Sequence, residues 1–424
     1  MPTCEEIRKQ KKLAPCKHNE ICNPKTNRCV KKSGKIGKSL LNKSKSVKKK
    51  SKTKSMKKSV TRSKSKSKKS RSVRRRSKTK SKSKTGSSIN FTVMEFNIWQ
   101  EGIRYKNYIN QGKIEIATII AEYKPDFVCI SENRSPTFLQ ELSHLISFLG
   151  DVEYKYTYIP GHNDTGILSK HKILDLRKII PYDRSKDRGS VTNIISKING
   201  VEFSVYSCHL DWKYYIPYME KKFSGNMVKL LDGRLVYKEL EQKMSDYEIE
   251  KEGDKSIRFQ QIKTVISKAE EDVKLGRVVL ICGDFNESNE NKRYNRVYKE
   301  LEKFGYTDAY REKYPHNTGY TVNLDSHLKL DFPSPSRIDF IYYKSNMKIK
   351  NKKTKLLGPK YRGTLSDRTG KNASKFLDEN DDSIEVPKNI SGKNCEDKNR
   401  SYKNYNICWP SDHRALLSNF TVNT

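Results

Sequence analysis

The sequence predicts an α/β fold in which two sheets pack face to face, and three observations carry that prediction. Apolar runs of strand length, several ending in one polar residue, recur from Phe91 onward. Stretches with apolar residues at helical spacing stand between them; Ile262, Val265, Ile266 and Ala269 form one such face. Finally, Gly283-Asp284-Phe285-Asn286 follows the apolar run Val278–Cys282, and Ser411-Asp412-His413 precedes the last apolar run. In a sandwich the strand ends gather along one edge, so carboxylates, amides and histidines remote in sequence meet there.

Taken in order, Phe91–Phe96 alternates around a β-branched centre and delivers Asn97. Ile114–Tyr123 reads as a helix leading into the strand Pro125–Ser131, which delivers Glu132, and Pro136–Leu149 reads as a second helix. Val201–Cys208 delivers His209. Ile257–Leu275 is an amphipathic helix packed before the Asp284 strand, and Ile338–Tyr343 is a strand carrying Asp339. Tyr214–Asp254 and Lys344–Asn404 are long, polar and charged, and are expected as loops or lids over the site.

Charge divides the chain sharply. Residues 1–89 hold 33 Lys and Arg against 3 Asp and Glu, a surplus of 30 within the net +38, so the remainder is only mildly basic at +8. From Lys31 to Lys84 the residues are almost wholly Lys, Ser, Arg and Thr. Too little apolar surface is present there to offset the entropy of ordering, so 39–88 is expected to be a disordered tail. Residues 89–424 suit one large α/β domain with a substantial core. No run reaches the length of a membrane-spanning helix, and the first thirty residues lack the apolar segment of a secretory signal; the expectation is a soluble chain made in the cytosol. Cys4, Cys16, Cys22 and Cys29 crowd that head. Zinc binding, two disulfides and four unlinked thiols all remain open, because the spacing is not a pair of Cys-x-x-Cys motifs.

In the order Asn97, Glu132, His209, Asp284-Phe285-Asn286, Asp339 and Ser411-Asp412-His413, over roughly Ile89 to Thr424, the chain resembles the endonuclease/exonuclease/phosphatase superfamily. Any one of these residues alone is more readily a turn residue, an ion pair or a surface histidine. Six motifs in order reverse that weighting. The resemblance implies a four-layer α/β sandwich, two packed mixed sheets flanked by helices, with Gly166–Lys170 as a further strand and Ile173–Ile180 continuing its sheet. It also implies a metal-dependent hydrolase of phosphoric esters. In-line cleavage needs a cation at the phosphate, a base for the attacking water and a donor for the leaving oxygen. Mg²⁺, or Mn²⁺, suits an oxygen-rich site. By the resemblance Glu132 is the main metal ligand, Asn97 lies beside it and Asp412 supports it. Asp284 is the base, Asn286 holds the phosphate or the water, His413 contacts the phosphate with Asp339 fixing its tautomer, and His209 serves the transition-state oxygens or the leaving group. His144, His162, His171, His316 and His327 have no such context, although His162, with Asp164, stands near the Gly166 strand and is expected to border the cleft.

Substrate class is less sharply written. Ile281-Cys282 before Gly283 and Glu287-Ser288 after it differ from inositol polyphosphate phosphatases, which carry Trp and Arg there. Ser207-Cys208-His209-Leu210-Asp211-Trp212 differs from the Tyr-x-Pro-Asn of apurinic endonucleases, and is similar to the histidine form of the deoxyribonuclease, sphingomyelinase and tyrosyl-DNA phosphodiesterase branches. The basic tail favours nucleic acid, since Lys and Arg gain affinity by releasing counterions. A Lys/Ser tract equally condenses DNA, serves as a nuclear signal, binds an anionic membrane surface or is simply solvated. The leading expectation is a nuclease-like phosphodiesterase. A lipid or small-molecule phosphohydrolase, and a non-enzymatic DNA-binding or virion protein, stand as alternatives. Cys22–Val30 with Gly34–Lys38, inside residues 1–38, is similar to two-cysteine adaptor segments of large DNA viruses, with Asn27 where those carry Gly. That resemblance implies a viral protein of the host cytoplasm, the nucleus or the virion.

Overall fold

A computed structural model describes residues 20–23, 28–31, 88–102, 109–133, 135–156, 164–179, 189–212, 223–229, 235–242, 244–254, 256–288, 295–322, 336–358, 362–365, 374–377, 381–387 and 409–424. The chain divides into two units, Met1–Lys82 and Ser83–Thr424. In the first, β1 (Glu20–Asn23) and β2 (Arg28–Lys31) pair antiparallel with Cys22 opposite Cys29. Cys4, Cys16, His162, His327 and the Lys/Ser tract lie outside the described residues.

In the second unit, alternation makes β3 (Ser88–Asn97) two-faced: Phe91 and Val93 enter one apolar layer, Met94 and Phe96 another. Then follow α1 (Ile109–Tyr123), β4 (Phe127–Ser131), α2 (Pro136–Gly150), β5 (Lys155–Tyr156), β6 (Thr165–Ser169), β7 (Ile173–Ile179), β8 (Ser190–Ile198) and β9 (Val201–His209). β10 (Phe223–Lys229) and β11 (Leu235–Glu239) pair with each other, and α3 (Asp246–Asp254) and α4 (Ile257–Lys274) lead to β12 (Val278–Asp284). The remainder is α5 (Arg296–Lys303), β13 (Thr307–Asp308), α6 (Ala309–Lys313), β14 (Asp339–Lys344), β15 (Lys348–Leu357), β16 (Arg362–Leu365), β17 (Ser374–Leu377), β18 (Ile384–Glu385) and β19 (Ala415–Asn423).

One sheet runs β13-β14-β12-β9-β8-β7 and the other β18-β15-β19-β3-β4-β6-β5, each mixing parallel and antiparallel pairs. Phe91, Val93 and Phe127 meet Phe203, Val205 and Leu280 between the sheets, and the rings of Phe91 and Phe203 touch edge-on at 4.8 Å. Each such buried side chain contributes about 1.5–3 kcal/mol. α1 and α2 cover the seven-stranded sheet through Ile116, Ile120 and Leu142, and α4 and α5 cover the six-stranded sheet through Ile262, Ile266 and Leu301. The second unit is thus the four-layer α/β sandwich.

Three expectations change. Ile173–Ile179 does not continue the sheet of β6; it is the edge of the opposite sheet, paired with β8. β6 already has β4 and β5 as neighbours, so no edge of it remains for β7. The Lys344–Asn404 stretch is not simply a loop either, because Lys348–Leu357 pairs with β19 along its length. Its lysines conceal the alternation in the sequence, yet Asn351, Thr354 and Leu356 are buried between the exposed ones. Likewise Tyr214–Asp254 contains β10, β11 and α3.

Candidate active site

Register alone brings the remote motifs into one row. β12 runs parallel to β9 with Asp284 beside His209, and antiparallel to β14 with Asp284 opposite Asp339. On the other sheet β3 runs parallel to β4 with Asn97 beside Ser131, so Glu132 follows at the same end, and Ser411–His413 enters β19 there. The Ser411 hydroxyl donates to the Asn97 carbonyl at 2.6 Å, which ties the last motif to the first. Gly283 makes the row possible: its φ is +143°, and a Cβ there would lie 1.8 Å from the Cys208 carbonyl oxygen, so only glycine lets β12 press this closely on β9. Glu132 (φ 64°) and Asn286 (φ 50°) are left-handed without being glycine, as are Trp99, Gln100 and Glu101 beyond Asn97. Such backbone costs on the order of 1–3 kcal/mol per residue and concentrates at functional edges.

At the centre stands Asp284. Its Oδ2 accepts from Asn97 Nδ2 at 3.0 Å, and its Oδ1 from the Asn286 amide at 2.8 Å. Two imidazoles converge on the same Oδ2, His209 with Nε2 at 3.9 Å and His413 with Nε2 at 4.0 Å. Each is held from behind through Nδ1, His209 by Asp164 at 2.7 Å and His413 by Asp339 at 2.9 Å. A carboxylate on Nδ1 keeps a hydrogen there and turns Nε2 toward the site. Asp412 Oδ1 lies 3.8 Å from His413 Nε2. Asn97 Nδ2 also reaches Glu132 Oε1 at 3.3 Å, while Asn97 Oδ1 accepts from the Trp99 amide at 2.9 Å. All eight residues singled out in the sequence are therefore at this edge. Asn286 is employed differently from expectation: its side-chain amide donates to the Leu210 carbonyl at 2.9 Å and joins the loop after β9 to the loop after β12.

Electrostatics separates the groups. Burial, then the charge of Asp339, pushes the Asp284 carboxyl up to about 6 against the pull of His413 and His209. Burial disfavours the His209 imidazolium, but Asp164, with Asp284 and Glu132 behind it, raises that imidazole to about 10. The same opposition, with Asp339 and Asp412 as the charges, lifts His413 well above the usual histidine range. His209 is therefore cationic at neutral pH while Asp284 is ionised, and the charges of Asp339 and Asp412 favour the imidazolium of His413 against its burial.

A divalent cation fits these residues. Glu132, Asp284, Asp339 and Asp412 bring four carboxylates to this edge beside the two imidazoles, and Asp339 Oδ1 is buried and receives no hydrogen bond. Carboxylates facing each other across a strand pair repel, and an oxygen-rich set of this kind suits a hard ion. Asp164, expected to border the cleft, has a definite task, and Arg258 and Glu95 are neighbours that escaped notice in the sequence. Asp164 supports His209, and fully buried Arg258 donates to the Asp211 carbonyl at 2.8 Å while facing Glu287 at 3.4 Å. Glu95 is fully buried with both carboxylate oxygens unpaired, and burial followed by Asp339 and Asp284 keeps its carboxyl far above the usual range. Its signal was legible: it lies two residues before Asn97, hence on the same inward face of β3.

The model of the Endonuclease/Exonuclease/phosphatase family matches residues 94–413. None of the curated proteins matches the chain. Similar solved structures include truncated TDP2 of Caenorhabditis elegans, 17% identical with a TM-score of 0.46, covering 79% of this chain and 98% of that one. The human Nocturnin catalytic domain with bound sulfate is 14% identical with a TM-score of 0.46, covering 80% and 97%. An endonuclease/exonuclease/phosphatase family protein of Leptotrichia buccalis is 14% identical with a TM-score of 0.44, covering 77% and 98%.

Proposed function

The chain belongs to the endonuclease/exonuclease/phosphatase family, and from that premise we propose that this phosphoric ester hydrolase is a phosphodiesterase acting on nucleic acid. The observation that supports the chemistry best is the convergence of two carboxylate-backed imidazoles on Asp284 Oδ2, at 3.9 and 4.0 Å. The surplus of 30 positive charges in residues 1–89 supports the substrate class.

Asp284, ionised at neutral pH yet less acidic than an ordinary aspartate, takes the proton of the attacking water. His413 donates from Nε2 to a phosphate oxygen, with Asp339 behind it holding the ring. His209, kept protonated by Asp164, donates from Nε2 toward the leaving oxygen. Asn97 holds Asp284 and Glu132 at a fixed separation through its two amide hydrogens. Glu132, with Asn97 and Asp412 beside it, would hold Mg²⁺ or Mn²⁺, which when bound supplies charge neutralisation at the phosphate.

Full-length protein and its Glu132→Ala variant, incubated with Mg²⁺ and DNA, RNA, sphingomyelin and phosphoinositide, test both parts. The expected result is cleavage of nucleic acid, abolished by excess chelator and by Glu132→Ala without loss of fold. Cleavage that survives chelation would overturn the metal-dependent mechanism. Turnover of a lipid with nucleic acid left intact would overturn the substrate class.

A further inference from the structure

Away from the catalytic edge, part of the outer face of the seven-stranded sheet is not covered by the described helices. On β3, Met94 and Phe96 lie under α1 and α2, but the preceding outward residues are half-buried Thr92 and exposed Asn90 and Ser88. Their register partners on β19 are half-buried Asn419, buried Thr421, whose hydroxyl donates to Asn90 Oδ1 at 2.6 Å, and exposed Asn423, and beyond these on β15 stand Lys353, Lys350 and Lys348. All three lysines are exposed, as is Lys352, the unpaired residue of the bulge. These nine outward positions carry amides, hydroxyls and ammonium groups and no carboxylate. Glu385, with Oε2 3.3 Å from Lys353 Nζ, touches only the end of the row nearest the site.

Lysines on an open edge also deter strand addition, and β18 pairs only with Leu356 and Leu357 of β15. Edge protection is served by charge on either face. Here the cations share one face with a flat field of small polar side chains, which is what a sugar-phosphate backbone requires. The spacing also suits a long polyanion. Successive outward residues lie about 6.8 Å apart, and Thr92 and Ser88 precede Asn97 by roughly 17 and 31 Å at 3.4 Å per residue. Ten base pairs at about 3.4 Å each span the same length. Ser88, at the foot of the face, follows directly on the tract that carries the surplus of 30 positive charges.

We propose that the outer face of β15, β19 and β3 is a docking surface for the phosphate backbone of a nucleic acid whose reactive end lies at the catalytic edge. Lys348, Lys350 and Lys353 contact phosphates, and Asn90, Asn419 and Asn423 donate to the backbone between them. This deepens the reading of the active site and rests on it.

Lysine acetylation footprinting of the full chain, with and without a saturating DNA duplex in chelator, tests it residue by residue. Duplex should slow acetylation of Lys348, Lys350 and Lys353 at least about fivefold relative to exposed Lys268 and Lys303. The triple variant Lys348→Gln, Lys350→Gln, Lys353→Gln should lower the slope of log affinity against log salt by about 3, near 0.9 per phosphate contact, with turnover of a small soluble phosphodiester unchanged. Duplex that binds and protects the lysines of residues 1–89 while leaving these three reactive would overturn the docking surface and leave the substrate class standing. Absence of duplex binding at low salt, with the small diester still cleaved, would overturn both.

Discussion

The two aspartate–histidine pairs at the catalytic edge are nearly matched in geometry and opposite in setting. His209 and His413 present Nε2 to the same oxygen at almost equal distances. Behind them, Asp339 is fully buried with its second oxygen unpaired, whereas the Asp164 side chain is 31% exposed and also bonded to the Ser190 hydroxyl. The same contact is therefore held by different means. One pair is sealed between the sheets and depends on its partner for neutralisation; the other borders solvent, where water replaces what a substitution removes.

Removing the shared acceptor gives the largest expected effect. Asp284→Asn should lower turnover at least about a hundredfold, the scale of a general base. Because the charges of both rings favour the ionised form of Asp284, adding His209→Ala or His413→Ala to Asp284→Asn should cost less than either does alone. Steady-state kinetics of the single and double variants measures this, and fully additive losses would mean that the two pairs do not share Asp284.

Replacing the supporting aspartates sharpens the difference between the pairs. Asp339→Asn should reduce kcat about a hundredfold and Asp164→Asn about tenfold, the two ends of the range for a carboxylate behind a histidine. Asp339→Ala should also destabilise the fold by about 3–5 kcal/mol, since it strands a buried imidazolium. Urea titration of Asp339→Ala and Asp164→Ala reads this, and equal losses would erase the distinction drawn from burial.

Stability against pH in chelator separates the groups by sign. A folded-state pKa raised above the unfolded one contributes stability that is fully present below the unfolded pKa and lost as pH climbs through the folded value. Asp284 should thus cost stability as pH rises from about 4 through about 6. His209 should do so between its ordinary value, near 6.5, and about 10. Asp164, held low by His209 and Ser190 against its burial, works the other way and loses its contribution only as the solution turns acid. The smallest effect is expected at Glu95: Glu95→Gln removes a buried carboxyl kept far above its usual range and should raise Tm by about 1–2 °C at pH 8, with little gain at pH 4. A Tm that falls at pH 8 would show that the carboxylate has a favourable partner.

What the sequence determined by itself was what depends on local pattern. Strand-length alternation in Phe91–Phe96, the apolar run before Asp284 and the spacing of α4 announced elements that form as expected, because period and burial are written residue by residue. The ordered polar strand ends singled out eight residues that the fold brings to one edge, since strand ends in a sandwich gather there. Sheet membership was not legible. Nothing in Ile173–Ile179 says that it joins the opposite sheet, because that depends on whether β6 still has an open edge. Nor could spacing show that Asn286 would be spent on the Leu210 carbonyl, that Asp164 would stand behind His209, or that Glu95 would be left without a donor. Hydrogen-bond partners and the cost of burying charge are properties of neighbours 35 to 300 residues away, and only tertiary packing chooses those neighbours.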